Sequence, residues 1–335
     1  MIRPDQLLCS TPSGLYCPPG DFYIDPLRKA DRAVITHGHA DHARKGHGSV
    51  LATPATLALM EARYGASFCR TRQSQGYGAR ISVNGVSVRL VPAGHVLGSA
   101  QVVVEYKGLK MICSGDYKRR PDPTCASFEV EACHVFITEA TFALPVFRHP
   151  DDRGEIRKLL DSLATFPDRT HFVGAYSLGK AQRVILLLRE AGYNDTILVH
   201  SALENINAVY DNFGVDLGRI QVVNGADASQ TGERLLIGPP QALTDALARR
   251  FRDPVRAFAS GWMRIRARAR QSGVELPLIV SDHADWDELT GTIRDIDPEE
   301  LWITHGRDDA LVRWAELEGR RATPLKLVGY EAETE

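Results

Sequence analysis

Short apolar runs that stop at polar residues recur along this chain. Ala33-Val34-Ile35, Val135-Phe136-Ile137, Thr196-Ile197-Leu198-Val199, Leu278-Ile279-Val280 and Leu301-Trp302-Ile303 have the length and composition of buried strands. Residues 81–91 alternate apolar and polar around Asn84-Gly85, a hairpin signal. Residues 101–114 repeat that design around Lys107-Gly108. Helical signals fall between these strands. Thr53-Pro54 opens one helix carrying Leu57, Leu59, Met60 and Ala62. Others are an amphipathic stretch at 155–163, a longer helix through Val184 to Leu188, and a third at 204–212. The alternation predicts an α/β protein. Between about 148 and 275 it becomes a βαβα series, which reads as a second α/β layer set inserted into the first.

The residues just past these strands are chemically distinctive. Ala33-Val34-Ile35 runs into Thr36-His37-Gly38-His39-Ala40-Asp41-His42, three histidines and an aspartate within six positions. His37 and His39 are two apart, so in extended chain they point to one side. Asp41 and His42 come next, where the chain turns, and Ala40 to Lys45 is expected to open a helix. Neutral imidazoles with a carboxylate suit Zn²⁺, and also Mn²⁺ or Fe. Other strand ends repeat the pattern: Asp25 after Phe22-Tyr23-Ile24, His95 in a glycine-rich turn, Asp116 after Ser114-Gly115, Glu139, His283 and His305.

The chain has 335 residues, ordinary apolar and charged fractions and a formal charge of −2, so no global basic field advertises nucleic acid. None of the six cysteines forms a C-x-x-C pair, which argues against a zinc ribbon, and they are expected to be small buried hydrophobes. The first residues lack a signal-peptide core, and no apolar run approaches the roughly 20 residues of a membrane span. A reducing cytoplasm is the expected location.

Two local features carry positive charge. Gly174-x-x-x-x-Gly179-Lys180 resembles a phosphate-binding loop, but Ala181 replaces the hydroxyl residue that binds magnesium, so nucleotide hydrolysis is rejected. Lys180 and Arg183 at that helix start remain candidates for a substrate phosphate, with a solvated helix start as the alternative. Arg264, Arg266, Arg268 and Arg270 recur with period two after Trp262. On a strand they share one face and form a phosphate track; on a helix they spread around it.

His37-x-His39-x-Asp41-His42 resembles the signature of the metallo-β-lactamase superfamily, which implies an αββα sandwich with a two-metal hydrolytic site. Glu139, His283 and His305 sit where the β-CASP nuclease subgroup has its additional motifs, and the insertion matches that subgroup's α/β cap. Ser177-Leu178-Gly179-Lys180-Ala181-Gln182 resembles the start of a cap helix. The implied domains are a core at 1–147 and 276–335 and a β-CASP cap at 148–275. The resemblance extends to bacterial ligase-associated DNA exonucleases through Gly14-Leu15-Tyr16-Cys17, residues 20–26 and Ser281-Asp282-His283-Ala284-Asp285-Trp286.

That likeness implies two divalent ions, Zn with Mn as the alternative. His37, His39, His95 and Asp116 would hold the first. Asp41, His42 and His305 would hold the second, with Asp116 bridging. Asp25 would orient ligands. Asp41, His283, Glu139 and Asp25 make up the catalytic set, with His283 protonating the leaving oxygen or holding the phosphate. In the family, cap and core form a cleft that the arginine stripe could line. The implied activity is a DNA exonuclease in DNA repair, associated with a DNA ligase and a helicase, and with no membrane partner. A histidine at position 305 is instead the form seen in RNA-processing β-CASP enzymes, which keeps an RNA nuclease as the alternative. A thioesterase or lactonase of the same fold would need no nuclease cap, and a non-catalytic binding protein would be expected to lose ligands.

Overall fold

The computed structural model describes residues 2–223, 234–243, 249, 251, 253–271 and 273–325. The chain forms two compact units, Met1–Arg148 with His283–Glu335, and His149–Asp282.

The first unit opens with helix α1 (Pro4–Leu7) and a sheet of β1 (Cys9–Thr11), β2 (Gly14–Cys17), β3 (Phe22–Ile24), β4 (Arg32–Val34), β5 (His47–Ala52) and β6 (Cys69–Ser74), in that order. Helix α2 (Pro54–Tyr64) separates β5 from β6, and Thr53 caps it by accepting from Thr56 N–H. The second sheet begins with β7 (Arg80–Val83), β8 (Val86–Pro92), β9 (Ala100–Tyr106), β10 (Leu109–Cys113) and β11 (Val135–Ala140).

Both expected hairpins form. Val83 pairs with Val86 across Asn84-Gly85, whose φ values of 49° and 83° are those of a type I′ turn. Lys107-Gly108 makes the same turn, with φ of 47° and 83°.

The His149–Asp282 unit contains α3 (Asp152–Thr165), β12 (His171–Gly174), α4 (Lys180–Glu190), β13 (Ile197–His200), α5 (Glu204–Asn212), β14 (Ile220–Val223), β15 (Leu235–Gly238), β16 (Val255–Ala259), α6 (Arg266–Gln271) and β17 (Leu276–Leu278). Its strands lie in the order β14-β13-β15-β12-β16-β17, all parallel. Residues 276–278, grouped from sequence with the returning segment, pair with β16 and so belong to this sheet. The first unit then resumes with α7 (Trp286–Ile296), β18 (Glu300–Gly306), α8 (Asp309–Leu317) and β19 (Arg321–Pro324), completing the second sheet as β19-β18-β11-β10-β9-β8-β7.

The two sheets of the first unit face each other. Leu15, Phe22, Ile24, Val34 and Leu51 from one share an apolar core with Val88, Val102, Val104, Met111 and Ile137 from the other. Leu57 and Met60 of α2 cover the outside of the first sheet, and Leu289 and Ile293 of α7 cover the second. The protein is therefore α/β, with mixed sheets in a layered sandwich.

Two expectations change. Residues 40–45 form turns rather than a helix. Only Cys17 and Cys113 are fully buried, while Cys9, Cys69, Cys125 and Cys133 are half-buried; all are free thiols. Among the described residues, no helix is long and apolar enough to cross a membrane.

Candidate metal centre

Strands β4, β8, β10, β11 and β18 each deliver a polar residue at or just beyond their C-terminal ends. Backbone geometry makes this possible at two glycines. Gly115, φ 56°, would place a Cβ 2.8 Å from Thr36 Cβ, so only glycine lets the turn before Asp116 approach the histidine loop. Gly94, φ 75°, packs against the Lys118 carbonyl in the turn that presents His95. Strands β11 and β18 lose register between Thr138 and Ala140, where Glu139 lies, and His305 on the partner strand takes a φ of 54°. A bulge of this kind re-aims side chains, and it does so here at two of the motif residues.

Four donors converge on one point. His39 Nδ1 lies 3.1 Å from His37 Nε2 and 3.0 Å from His95 Nε2. Asp116 Oδ2 is 3.4 Å from His37 Nε2 and 3.8 Å from His95 Nε2. Donors on a tetrahedral zinc, about 2.0–2.1 Å from the metal, stand about 3.3 Å apart. The observed separations are those of such a shell. All four residues are buried.

A second group adjoins it. His42 Nε2 is 3.3 Å from Asp116 Oδ2 and 3.6 Å from Asp41 Oδ2. The His305 ring stacks on that of His42, with centroids 5.1 Å apart, and its Nε2 is buried. Asp116 thus lies between His37, His95 and His42.

Asp25 fixes the tautomers. It accepts from His42 Nδ1 at 2.8 Å and from Thr36 Oγ1 at 2.6 Å, and Thr36 Oγ1 lies 3.0 Å from His37 Nδ1. Because Thr36 spends its proton on Asp25, it accepts from His37 Nδ1–H. Both imidazoles are left with Nε2 directed at Asp116's side of the cluster, the carboxylate–histidine arrangement found behind metal sites. A buried cluster of lone pairs and carboxylates fits a divalent cation, which satisfies them together.

The electrostatics agree. Burial, followed by the field of His42, holds His37 well below the ordinary histidine value and keeps its lone pair available. Burial also opposes ionisation of Asp116, but His42 and His283 outweigh it and hold the carboxyl well below its usual range. Desolvation pushes His42 down, yet Asp116 and Asp41 raise it well above normal, so a cation there would displace a proton. His305 falls to about 4, through burial and then His42.

His283 stands beside this cluster, its ring centroid 4.6 Å from that of His95. Its Nδ1 is 2.9 Å from Glu139 Oε2, and Glu139 Oε1 accepts from Tyr117 N–H at 2.7 Å. Burial lifts Glu139 above the usual carboxylate range while His283 pulls it back.

The chain is similar to a probable DNA ligase from Opitutus terrae, 26% identical over 318 residues that cover 90% of this chain and 30% of that protein. It is also similar to endoribonuclease YSH1 of Kluyveromyces lactis, 33% identical over 122 residues covering 35% of this chain and 16% of that protein. The Neurospora crassa endoribonuclease ysh-1 is 26% identical over 200 residues, 49% of this chain and 23% of that protein. The chain thus spans a third or less of the length of these relatives. No family model matches it. A crystal structure of a protein of unknown function from Enterococcus faecalis shares the fold, with a TM-score of 0.56 and 14% identity over 89% of this chain and 80% of that one.

The basic candidates of the His149–Asp282 unit are placed differently from expectation. Lys180 does begin α4, but its Nζ pairs with Asp282 at 3.1 Å, and Arg183 pairs with Asp152; both cations are buried. Each cation is paired with a carboxylate of the same unit. Arg266, Arg268 and Arg270 lie on α6, and Arg264 ends the short helical turn before it. The strand reading therefore fails, and the guanidiniums spread around a helix; Arg268 stacks over the Trp262 ring at 4.1 Å. Asp285 caps α7 by accepting from Asp287 and Glu288 N–H, while the Glu288 carboxylate accepts from the Asp285 N–H.

Sequence reading missed three residues. Thr36 relays Asp25 to His37. Ser99 Oγ accepts from the His95 and Val96 N–H groups at 3.1 and 3.2 Å. Tyr117 positions Glu139 through its backbone. None belongs to a ligand-type pattern, so only adjacency to the motifs could have flagged them.

Proposed function

We propose that this chain is a metal-dependent phosphodiesterase, a DNA nuclease of the β-CASP subgroup of the metallo-β-lactamase superfamily, with the His149–Asp282 unit as its cap. The observation that carries this reading is the buried convergence of His37, His39, His95 and Asp116 at tetrahedral spacing, with Asp41 and His42 adjoining it through Asp116. His37, His39, His95 and Asp116 would hold one divalent ion, and Asp41, His42, His305 and Asp116 would hold a second. Zn suits the donor set, with Mn as the alternative. Bound there, the ions supply positive charge that activates water and stabilises phosphoryl oxygens.

The protein's own groups do the rest. Asp25 and Thr36 keep His37 and His42 in one tautomer and orientation. Asp41 adds a half-exposed carboxylate at the edge of the cluster. His283, held at Nδ1 by Glu139, donates a proton from Nε2 to the leaving oxygen as the phosphorus–oxygen bond breaks and hydroxide, formed by water that has released its proton to solvent, bonds to phosphorus. His283 acts on the leaving group and is outside both ligand sets.

DNA is favoured because the Opitutus relative is named a probable DNA ligase and the likeness covers nearly all of this chain. Association with a ligase and helicase in repair belongs to the same reading. An RNA-processing nuclease is the second reading, favoured by the likeness to the YSH1 endoribonucleases and by His305.

The test is metal analysis together with digestion of end-labelled single- and double-stranded DNA and RNA. We expect roughly two transition-metal ions per chain, cleavage of DNA before RNA, loss of activity on chelation and recovery when metal returns. Full activity in a metal-free Asp116→Ala protein would sink the mechanism, and preferred cleavage of RNA would move the assignment to the second reading.

A further inference from the structure

Many surface arginines of this chain end in ion pairs, among them Arg32–Asp21, Arg72–Glu61, Arg80–Glu105, Arg148–Asp287 and Arg294–Glu318. The border of the loop from His37 to Gly46 is different. Arg63, exposed near the end of α2, donates from Nη1 to the Gly38 carbonyl at 2.6 Å, between two candidate ligands. Arg44 donates from Nε to the Asp41 carbonyl at 3.5 Å. The Lys29 stem lies over Gly46, where an added Cβ would meet Lys29 Cε at 2.9 Å. Lys45 Nζ and Arg63 Cζ lie 6.0 and 5.8 Å from the Tyr64 ring centroid, and Tyr64 is itself anchored on the apolar cluster of Ile35 and Met60. Among the described residues, none of Lys29, Arg44, Lys45 and Arg63 has a carboxylate partner within ion-pair distance.

The chain as a whole is slightly acidic, so this concentration is local. Like charges gathered around one loop repel, and among the described residues none of these four is offset by an ion pair. Three of the four are exposed. They are spread along the loop and not focused on one point, which suits a row of anions better than a single phosphate. We propose that Lys29, Arg44, Lys45 and Arg63 bind the phosphodiester backbone of a nucleic-acid strand on the surface bordering the metal loop. This deepens the nuclease reading by naming where the strand is held beside the site. Phosphate contacts carry no information about sugar or base, so DNA and RNA share the chemistry and the experiment must separate them.

Lys29→Gln/Lys45→Gln removes two charges without touching the loop's backbone carbonyls. Lys107→Gln, at the hairpin turn on the far end of β10 from Asp116, is the charge-loss control. Binding of fluorescein-labelled single-stranded DNA and RNA oligomers is measured by anisotropy across a salt titration. Metal content and turnover of bis(4-nitrophenyl) phosphate, too small to reach the surface, are measured in parallel. The slope of log K against log salt should become shallower by about 1.4–1.8, from roughly 0.7–0.9 per lost phosphate contact, with metal content and small-diester turnover unchanged. A change for both oligomers makes the surface a general backbone track; a change for one assigns it to that nucleic acid. An unchanged slope, a per-charge change equal to that of Lys107→Gln, or a loss of metal overturns the proposal. If the wild-type protein cleaves neither oligomer nor the small diester, the nuclease reading fails, while the anisotropy still decides the surface.

Discussion

Two sets of buried charges behave in opposite ways in this molecule. At the start of α4, Lys180 faces Asp282 and Arg183 faces Asp152; each charge has a counter-charge supplied by the same chain. Around Asp116, imidazole nitrogens approach one another to 3.0–3.1 Å, and the hydrogen bonds of Thr36 and Asp25 turn Nε2 of His37 and of His42 inward. Burying polar groups is tolerable only when they are satisfied. The first set finds its counter-charges within the fold. The second gathers donors of the same kind at a spacing that could hold a cation from outside. Burial alone therefore does not mark a functional site; the direction in which a buried cluster is satisfied does.

The sharpest way to break that contrast is at the bridge. Asp116→Ala should lose metal and activity together, whereas Arg183→Met should keep both. His283→Ala comes next: it should retain metal and nucleic-acid binding while turnover drops by ~10²–10⁴, the usual scale of an acid or base contribution. A nitrophenyl diester, whose leaving group needs less protonation, should recover part of that loss. If the variant sheds metal instead, His283 is a ligand and the place of His305 must be reassigned.

Arg183→Met should destabilise the protein by about 3–5 kcal/mol, because it removes the buried counter-charge of the Asp152 carboxylate. Denaturant unfolding measures this, and a stability change below about 1 kcal/mol would mean that the pair is solvated and the contrast false. The smallest effect is expected at Asp25→Ala, a ~10–100-fold loss of metal affinity with the ligands still present, the usual cost of removing an orienting carboxylate. Competition with a metal-sensitive dye reads this, and unchanged affinity would show that Asp25 does not hold the two imidazoles.

Much of the fold could be read from pattern because its determinants are local. The Asn84-Gly85 and Lys107-Gly108 turns, the Thr53 cap and the 204–212 helix each depend on a few adjacent residues. The arginine stripe stayed ambiguous for a local reason as well: its period of two fits a strand, but Arg and Ala are both strong helix formers, and α6 obeys propensity over alternation. Lys180 and Arg183 misled because their counter-charges lie 102 residues later, at Asp282, and 31 residues earlier, at Asp152.

The sequence by itself determined the chemistry available at the site. His37, His39, Asp41 and His42 share one loop, so their types and spacing already imply a cation, and the apolar runs before Asp116, Glu139 and His305 already place those residues at strand ends. Only the tertiary structure decided which donors meet, that Thr36 relays Asp25 to His37, that Glu139 holds His283 from 144 residues away, and that α4's cations are spent internally. Local spacing sets which groups a loop can present. Convergence and charge compensation depend on separations of a few ångströms between residues far apart in the chain, which only packing of the sheets can set.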